Sequence, residues 1–357
     1  MISVCSNVII RQWDLQAGKK VKEMRDDCEG GLQLATVSRD GRWVMTSARD
    51  GNHYKLKAYE VETGIVKTLQ DSPAPVITCI DISADSKLLA SGSYFDGTVL
   101  IRGMDTGKLV AGPFESDDAV GAVRFSPNSK KLAVRSEVGK CLEVWDVQTH
   151  KLDARVGKEC DGAITFAPIF WTKKGTILAV FNFDFDNNDS EPTTIYESST
   201  LETVGVPFQG HTDAIHELAL SSDGALLASF SFDKTIKLWS LEPRQLLASF
   251  VVQHESSPTY LIFSPDTRQL AYSADHKIFI CTIPPDILTS IRVAPDAQAI
   301  VRICCIYLLV NVLISSSRSM RLTIQPLMTY LMCTPHRCSL MQPIVLLMRS
   351  VTQHHRL

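Results

Sequence analysis

The nine histidines and 39 acidic residues are the side chains with which this chain could perform acid–base chemistry. His211 and Asp233 form the clearest candidate for a catalytic pair, in which a carboxylate would orient an imidazole. The sequence lacks the GxSxG and HExxH motifs, the cysteine–histidine spacings of nucleophilic enzymes, and the GxxxxGK[ST] loop that binds nucleotide phosphates. We therefore predict no catalytic residues and no cofactor, and we interpret the pair as a structural hydrogen bond.

Two groups of side chains could be assembled into a metal site. An acidic loop offers the oxygen ligands that Ca²⁺ prefers, but it lacks the central glycine and the terminal glutamate of an EF-hand loop. Its residues are Asp184, Asp186, Asp189 and Glu191. The second group, near the C-terminus, has spacings that match no zinc pattern. Its residues are Cys333, His336, Cys338, His354 and His355. We predict that the loop is a solvated insertion and that neither group binds a metal.

Charge is distributed unevenly along the chain. All 39 acidic residues lie at or before Asp296, together with 30 of the 36 basic residues, so this part is acidic overall. The last 61 residues contain six arginines, no lysine and no acidic residue. The net charge of −3 disfavours nucleic acids and membrane surfaces as partners, because both usually require a basic excess.

The cysteines indicate the compartment. None of the ten belongs to a CxxC pair, and Met1 is followed by a polar, strand-like segment rather than by a signal peptide. Scattered cysteines of this kind are typical of reduced core residues. We predict a cytoplasmic protein, with the nucleus as the alternative.

A short polar turn followed by a hydrophobic strand recurs six times. The last residues of successive turns are 45, 43, 46, 49 and 43 residues apart. These landmark turns are Ser38–Gly41, Ser83–Ser86, Ser126–Ser129, Thr172–Gly175, Ser221–Gly224 and Ser264–Thr267. A second marker has the same period, at Trp13-Asp14, Tyr59-Glu60, Arg102, Trp145-Asp146, Tyr196-Glu197, Trp239-Ser240 and Ile280. Two markers that share one period indicate a repeat protein.

Each repeat is predicted to contain four short strands. The clearest copy has them at Ala214–Ser221, Leu226–Ser231, Thr235–Ser240 and Gln245–Phe250. Runs of Val, Ile, Leu, Phe and Thr that are interrupted by Asp, Gly and Ser every few residues favour sheets over helices. A single four-stranded sheet leaves both faces under-buried, whereas radial packing of several sheets covers them. The repeat therefore predicts an all-β propeller.

The clearest copy resembles the WD-repeat family. The matching residues are Gly210-His211, Ser222-Asp223-Gly224, Ser229, Asp233-Lys234-Thr235 and Trp239. The resemblance covers residues 1–290 and implies a hydrogen-bonded chain of His211, Ser229, Asp233 and Trp239 inside the blade. Other copies depart from the pattern, since Arg102 replaces the tryptophan, Val138 replaces the turn aspartate, and Phe166–Thr176 is only loosely repeat-like. The segment Ile283–Leu288 also resembles the end of the propeller in fungal proteins that combine a NACHT module with WD repeats.

The number of third-strand positions predicts a seven-bladed propeller of the WD40 type. The first blade is expected to be incomplete, because Val8–Leu15 is already a third strand and Lys20–Arg25 would be the fourth. Its missing first two strands come either from the C-terminal tail or from a longer protein of which this chain is a fragment. We predict a propeller domain over residues 1–290 and an atypical tail over residues 291–357.

The tail does not continue the repeat, and its segment Ala299–Ile314 is apolar apart from Arg302 and Asn311. Three interpretations remain open. It could supply two strands, Val301–Tyr307 and Leu309–Ile314, to the first blade. It could be a membrane anchor, although it is short for one. It could be a stretch that is not shaped by selection for folding, which the absence of acidic residues and lysine favours.

The resemblance implies a binding platform for protein or peptide partners. Rigid blades hold loops in place, so a partner meets a surface that needs little reordering. Repeat alignment predicts the partner-binding rim at the start of each first strand and at the turn between the second and third strands. These positions are Gln33, Arg49, Thr78, Phe95, Gly121, Glu137, His216 and Phe232. The alternatives are an enzyme with a site at the central channel and a self-associating structural subunit.

Overall fold

The fold was analysed in a computed structural model that describes nineteen segments of the chain. They are residues 2–5, 9–14, 19–25, 32–38, 40–50, 53–72, 76–116, 118–136, 141–157, 168–181, 194–198, 201–202, 204–205, 207–213, 215–252, 260–274, 277–290, 323–324 and 344–347. Within them the chain forms 27 β-strands in seven sheets and one short helix, α1 (Pro285–Ser290). No helix of this described part has both the length and the apolar character needed to cross a membrane.

Five sheets consist of four strands that follow one another in the chain. The first contains β4 (Leu32–Val37), β5 (Trp43–Asp50), β6 (His53–Glu60) and β7 (Val66–Ser72). The second contains β8 (Ile77–Ile82), β9 (Leu88–Ser93), β10 (Thr98–Gly103) and β11 (Leu109–Glu115). The third contains β12 (Val120–Phe125), β13 (Lys131–Ser136), β14 (Cys141–Asp146) and β15 (Leu152–Gly157). The fourth contains β19 (Ile215–Leu220), β20 (Leu226–Ser231), β21 (Thr235–Ser240) and β22 (Leu246–Val251). The fifth contains β23 (Tyr260–Phe263), β24 (Gln269–Ala274), β25 (Lys277–Thr282) and β26 (Thr323–Ile324), which pairs parallel with β25.

The two remaining sheets are irregular. One has three strands, β16 (Phe170–Trp171), β17 (Ile177–Phe181) and β18 (Thr194–Ser198). The other has the order β27-β1-β2-β3, in which β1 (Ile2–Cys5), β2 (Ile9–Asp14) and β3 (Lys19–Arg25) are joined by a strand from the opposite end of the chain. That strand, β27 (Ile344–Leu347), pairs antiparallel with β1.

The prediction of a β-propeller of WD40 type is confirmed, but the count of seven blades is wrong: five blades are built from four consecutive strands. The three-stranded sheet lacks a fourth strand among the described residues, and the sheet β27-β1-β2-β3 depends on the distant β27. The blade that contains β2 and β3 was expected to lack its own first two strands, but β1 provides the second of them. The segment Val301–Tyr307, proposed as a blade-completing strand, lies outside the described residues, as does Leu309–Ile314.

Neighbouring blades pack face to face, and each apolar cluster is shared by two of them. Met45 and Leu56 of one sheet pack with Ile80 and Leu89 of the next. The same arrangement joins the second sheet to the third and the fourth to the fifth. The innermost strands β4, β8, β12 and β16 contact one another in succession, and β19 contacts β23. Because each blade covers its neighbour's apolar face, burial of this surface drives the radial assembly.

Four of the six landmark turns share one hydrogen-bond pattern. Their serine hydroxyl donates to the carboxylate two residues later and accepts the backbone N–H five residues later, as in Ser221 with Asp223 (2.6 Å) and Leu226 (2.8 Å). The fourth turn residue has a positive φ in all six copies. This conformation favours glycine, and Ser86, Ser129 and Thr267 also adopt it. A polar turn with this chemistry ends the innermost strand and starts the next one.

Candidate functional site

A buried hydrogen-bonded chain connects the strands β20 and β21, the turn between them and the loop before β19 in the fourth four-stranded blade. Trp239 Nε1 donates to Ser229 Oγ at 2.8 Å, and Ser229 Oγ lies 2.7 Å from His211 Nε2. His211 Nδ1 lies 2.8 Å from Asp233 Oδ2, and Thr235 donates to the other carboxylate oxygen at 2.6 Å. The structure thus brings together all four residues that the family resemblance implied, and it adds Thr235 to them.

The chain has one direction if the imidazole is neutral. The indole donates to the serine, the serine hydroxyl donates to Nε2, and Nδ1–H donates to the carboxylate. Burial lowers the pKa of His211, and the Asp233 carboxylate raises it by less, so the neutral ring is favoured. Burial alone would raise the pKa of Asp233, but hydrogen bonds from Thr235 and His211 outweigh it and lower that pKa. The neutral imidazole of His211 is hydrogen-bonded to Ser229 at one nitrogen and to Asp233 at the other, and it therefore stabilises the fold of this blade.

The predicted rim positions on the innermost strands share a backbone feature. In four blades the innermost strand contains one extra residue relative to its partner, which is a β-bulge. The extra residues are Gln33, Thr78, Gly121 and His216. A bulge bends its strand and re-aims a side chain, and it is common next to binding sites. The rim positions that repeat alignment predicted on the innermost strands are therefore the residues that form these four bulges.

The turns between the second and third strands expose aromatic side chains at this end of the blades. Phe95 is 74% exposed and packs edge-to-face against Tyr94, with ring centroids 5.1 Å apart. Phe232 is 45% exposed and packs edge-to-face against His216 at 5.2 Å. Burial lowers the pKa of His216. The structure thus joins two predicted rim residues, His216 and Phe232, into one aromatic pair.

The other predicted rim positions lie in different environments. Thr78 is half-buried, and its hydroxyl donates to the backbone oxygen of Val120 in the next blade, so it links blades. Gln33 and Arg49 lie in β4 and β5, and their side chains lie outside the described part, as does the whole of Glu137. Val138 and the two proposed metal-binding groups also lie outside the described residues. Tyr94 was missed by repeat alignment, although its place beside Phe95 in a Ser-Tyr-Phe-Asp-Gly turn was a visible signal.

Radially packed four-stranded sheets with polar landmark turns and a His–Ser–Trp–Asp chain define a WD40-type β-propeller. Comparison with known proteins agrees: the sequence profile described as "WD domain, G-beta repeat" matches residues 64–101 and 201–240. In these two segments the chain is similar to WD-repeat proteins.

Three curated relatives illustrate the range of this similarity. The chain is 26% identical over 213 residues to WD repeat-containing protein SL1-17 of Schistosoma mansoni, covering 59% of this chain and 65% of that protein. It is 25% identical to the transcriptional corepressor LEUNIG_HOMOLOG of Arabidopsis thaliana, covering 67% and 34%. It is 24% identical to a guanine nucleotide-binding protein subunit beta of Oryza sativa subsp. japonica, covering 58% and 53%.

The chain therefore spans less than two thirds of the length of these relatives. The likeness of Ile283–Leu288 to fungal NACHT–WD proteins is not shown by these comparisons and stays a prediction. In the structure, Ile283 and Ile287 of this segment are buried in the core of the last blade.

Proposed function

We propose that this protein is an interaction scaffold whose rim, at the end of the blades that carries the bulges and the aromatic turns, binds protein or peptide partners. The observation that carries the proposal is the exposure of Tyr94, Phe95 and Phe232 on tight turns of well-packed blades. Aromatic side chains dominate the energetics of protein interfaces, and rigid turns lose little entropy when a partner binds.

The names of the relatives support a role in binding protein partners. One is described as a subunit of a guanine nucleotide-binding protein, and another as a transcriptional corepressor. The proposal is non-enzymatic and assigns His216 to the interface, because its ring packs edge-to-face against the exposed ring of Phe232. Protein partners, rather than nucleic acids or a membrane, are proposed from the acidic character of residues 1–296.

One finer point belongs to the same proposal. We propose a cytoplasmic location, supported by the free thiols of Cys79, Cys141 and Cys281. Burial raises the pKa of Cys79 to about 12, as for an inert core thiol. Cell fractionation would test the location.

The rim is tested by quantitative affinity capture with a matched control. The double variant Phe95→Ala/Phe232→Ala removes two aromatic side chains that are 74% and 45% exposed. The control Val251→Ala/Leu246→Ala removes apolar side chains that are 72% and 42% exposed on the outer strand β22. We expect at least a tenfold loss of specific partners for the first variant and no loss for the control. Equal recovery by both variants would refute the rim, and capture of this chain alone would favour self-association.

A further inference from the structure

A cavity of about 460 Å³ lies between the sheet β12–β15 and the sheet β16–β18. We call the buried apolar part of its lining the floor, which consists of Val144, Ile177 and Leu201 together with the half-buried Trp171. Trp171 is held in place because its Nε1 donates to the backbone oxygen of Arg124 at 3.1 Å. The landmark turns Ser126–Ser129 and Thr172–Gly175 line the mouth, at the end of the blades opposite the rim. A fixed apolar floor of this size suits one bulky side chain of a ligand.

The two turns at the mouth are the ones in which the repeated aspartate is missing. The third position is Asp40, Asp85, Asp223 or Asp266 in the other four landmark turns. At the cavity it is Asn128 in one turn and Lys174 in the other. The second turn is closed instead by the hydroxyls of Thr172 and Thr176, which lie 2.5 Å apart. The fold therefore does not require the lysine.

Lysines surround the mouth. Lys131, Lys173 and Lys174 line the cavity, and the exposed Lys130 precedes Lys131 in the chain. Lys131 Nζ lies 3.0 Å from Asp153, and Lys174 Nζ lies 2.5 Å from Glu242. Both pairs are exposed, and exposed ion pairs contribute little to stability, so carboxylates of a ligand can replace these partners. The cluster is basic although residues 1–296 carry an excess of acid, so the field here attracts an acidic ligand.

We propose that this inter-blade cavity binds an acidic peptide segment of a partner protein that carries one bulky apolar side chain. The apolar side chain occupies the floor beside Trp171 and Leu201, and the flanking carboxylates contact Lys131, Lys173 and Lys174. A protein segment fits better than a nucleic acid, because the lining offers one fixed indole rather than a series of exposed aromatic faces on which bases stack. This site is separate from the rim.

The test uses the full chain and fluorescence polarisation. The probe is a short labelled peptide of Asp and Glu with one central Leu. Its counterparts are the same peptide with Asn and Gln, the same peptide with a central Gly, and a labelled oligouridine. We expect saturable binding of the first peptide that weakens as salt rises from about 50 to about 300 mM. The Asn/Gln and Gly peptides should bind at least about tenfold more weakly.

Charge variants locate the binding site. Lys173→Glu/Lys174→Glu should weaken the acidic peptide about tenfold or more, whereas Asp153→Asn, which frees Lys131, should strengthen binding about threefold. The matched control is Lys87→Glu/Lys108→Glu, the same charge change on exposed turns of the sheet β8–β11, expected to alter binding less than about twofold. Circular dichroism checks the fold of each variant.

Several outcomes would overturn the proposal: no binding of the acidic peptide, equal binding of the Asn/Gln peptide, tighter binding of the oligouridine, or an equal loss in the control variant. The variant Phe95→Ala/Phe232→Ala should bind the acidic peptide unchanged. Failure of this site and failure of the rim are thereby distinguished.

Discussion

Arg124 Nη1 lies 3.1 Å from Asp81 Oδ1, and this ion pair joins two neighbouring blades. The other carboxylate oxygen of Asp81 accepts the backbone N–H of Phe125 at 2.7 Å. Arg124 Nε donates to the backbone oxygen of Ile169 in the following sheet at 3.1 Å, and its guanidinium lies over the ring of Phe170. One arginine therefore connects three successive sheets at the ends of their innermost strands. It fixes the spacing between blades, which apolar packing alone leaves adjustable.

Replacing Asp81 with alanine should destabilise the propeller strongly. The change removes the carboxylate partner of a largely buried guanidinium and the acceptor of a buried backbone N–H. Breaking one side of such a pair costs about 3–5 kcal/mol in the free energy of unfolding. Urea denaturation measures the free energy of unfolding of the variant and of the wild type. The control is Arg42→Ala, which removes a guanidinium that is 61% exposed from its ion pair with Glu60 and should cost about 1 kcal/mol or less, because Thr63 still donates to the Glu60 carboxylate. Equal losses of unfolding free energy for Asp81→Ala and Arg42→Ala would show that the Asp81–Arg124 pair contributes no more than the Arg42–Glu60 pair.

Replacing Ser229 with alanine should cost about 2–4 kcal/mol of unfolding free energy, because His211 Nε2 and Trp239 Nε1 both lose a buried partner. Ser47 provides the matched control. It is a buried serine of the second strand in another blade, and its hydroxyl makes no hydrogen bond within the described segments. Ser47→Ala should change stability by less than about 0.5 kcal/mol. Thermal and urea unfolding of both variants tests the contrast, and similar losses would contradict it.

The strands and turns of the regular blades were predictable because they depend on local chemistry. The prediction Leu226–Ser231 and Thr235–Ser240 agrees with β20 and β21 residue for residue. The polar landmark turn and the alternation of apolar residues are both set by neighbours a few residues apart. The inner strand, predicted to end at Ser221, ends one residue earlier in β19, which is the usual uncertainty of strand boundaries.

The pairing between the two ends of the chain could be predicted only as one of two alternatives. The pairing of β27 with β1 joins residues from opposite ends of the chain, and no local pattern specifies such a partner. Within the described residues the sheet β16–β18 has three strands, and the only sequence signal of this irregularity was the loose pattern of Phe166–Thr176. The basic cavity was also missed, although the turn Thr172–Gly175 already contained its signal, a lysine in place of the repeated aspartate.

Stability should fall as pH is lowered from about 7.5 to about 5.5, and His211 should account for part of this fall. Its pKa is lowered in the folded state, so the unfolded chain takes up a proton first, near the ordinary value of 6.5. The stabilisation is complete above that value and is lost as pH falls through it, with a slope of up to about 1.4 kcal/mol per pH unit. Protonated imidazole would also force the Ser229 hydroxyl to give up its role as donor.

Urea unfolding at several pH values, compared between the wild type and His211→Gln, isolates this contribution. The variant should be less stable at pH 7.5 and should show a shallower dependence on pH. His216→Gln is the control for a second buried imidazole with a lowered pKa. Identical slopes for the wild type and His211→Gln would rule out the neutral imidazole as a source of stability.

Gly210, which precedes the histidine of the network, should tolerate no side chain. Its φ is +150°, and a Cβ atom built on it would lie 3.1 Å from Cη2 of Trp239. Gly210→Ala should therefore combine backbone strain with displacement of the indole, lowering the unfolding free energy by about 3 kcal/mol. Gly64 has φ +77° and open space around the built Cβ, so Gly64→Ala measures backbone strain without the contact and should cost about 1 kcal/mol. Urea unfolding followed by tryptophan fluorescence compares them. If both variants lose the same stability, the indole does not press on residue 210, and the close approach of Gly210 to Trp239 plays no part in holding the blade together.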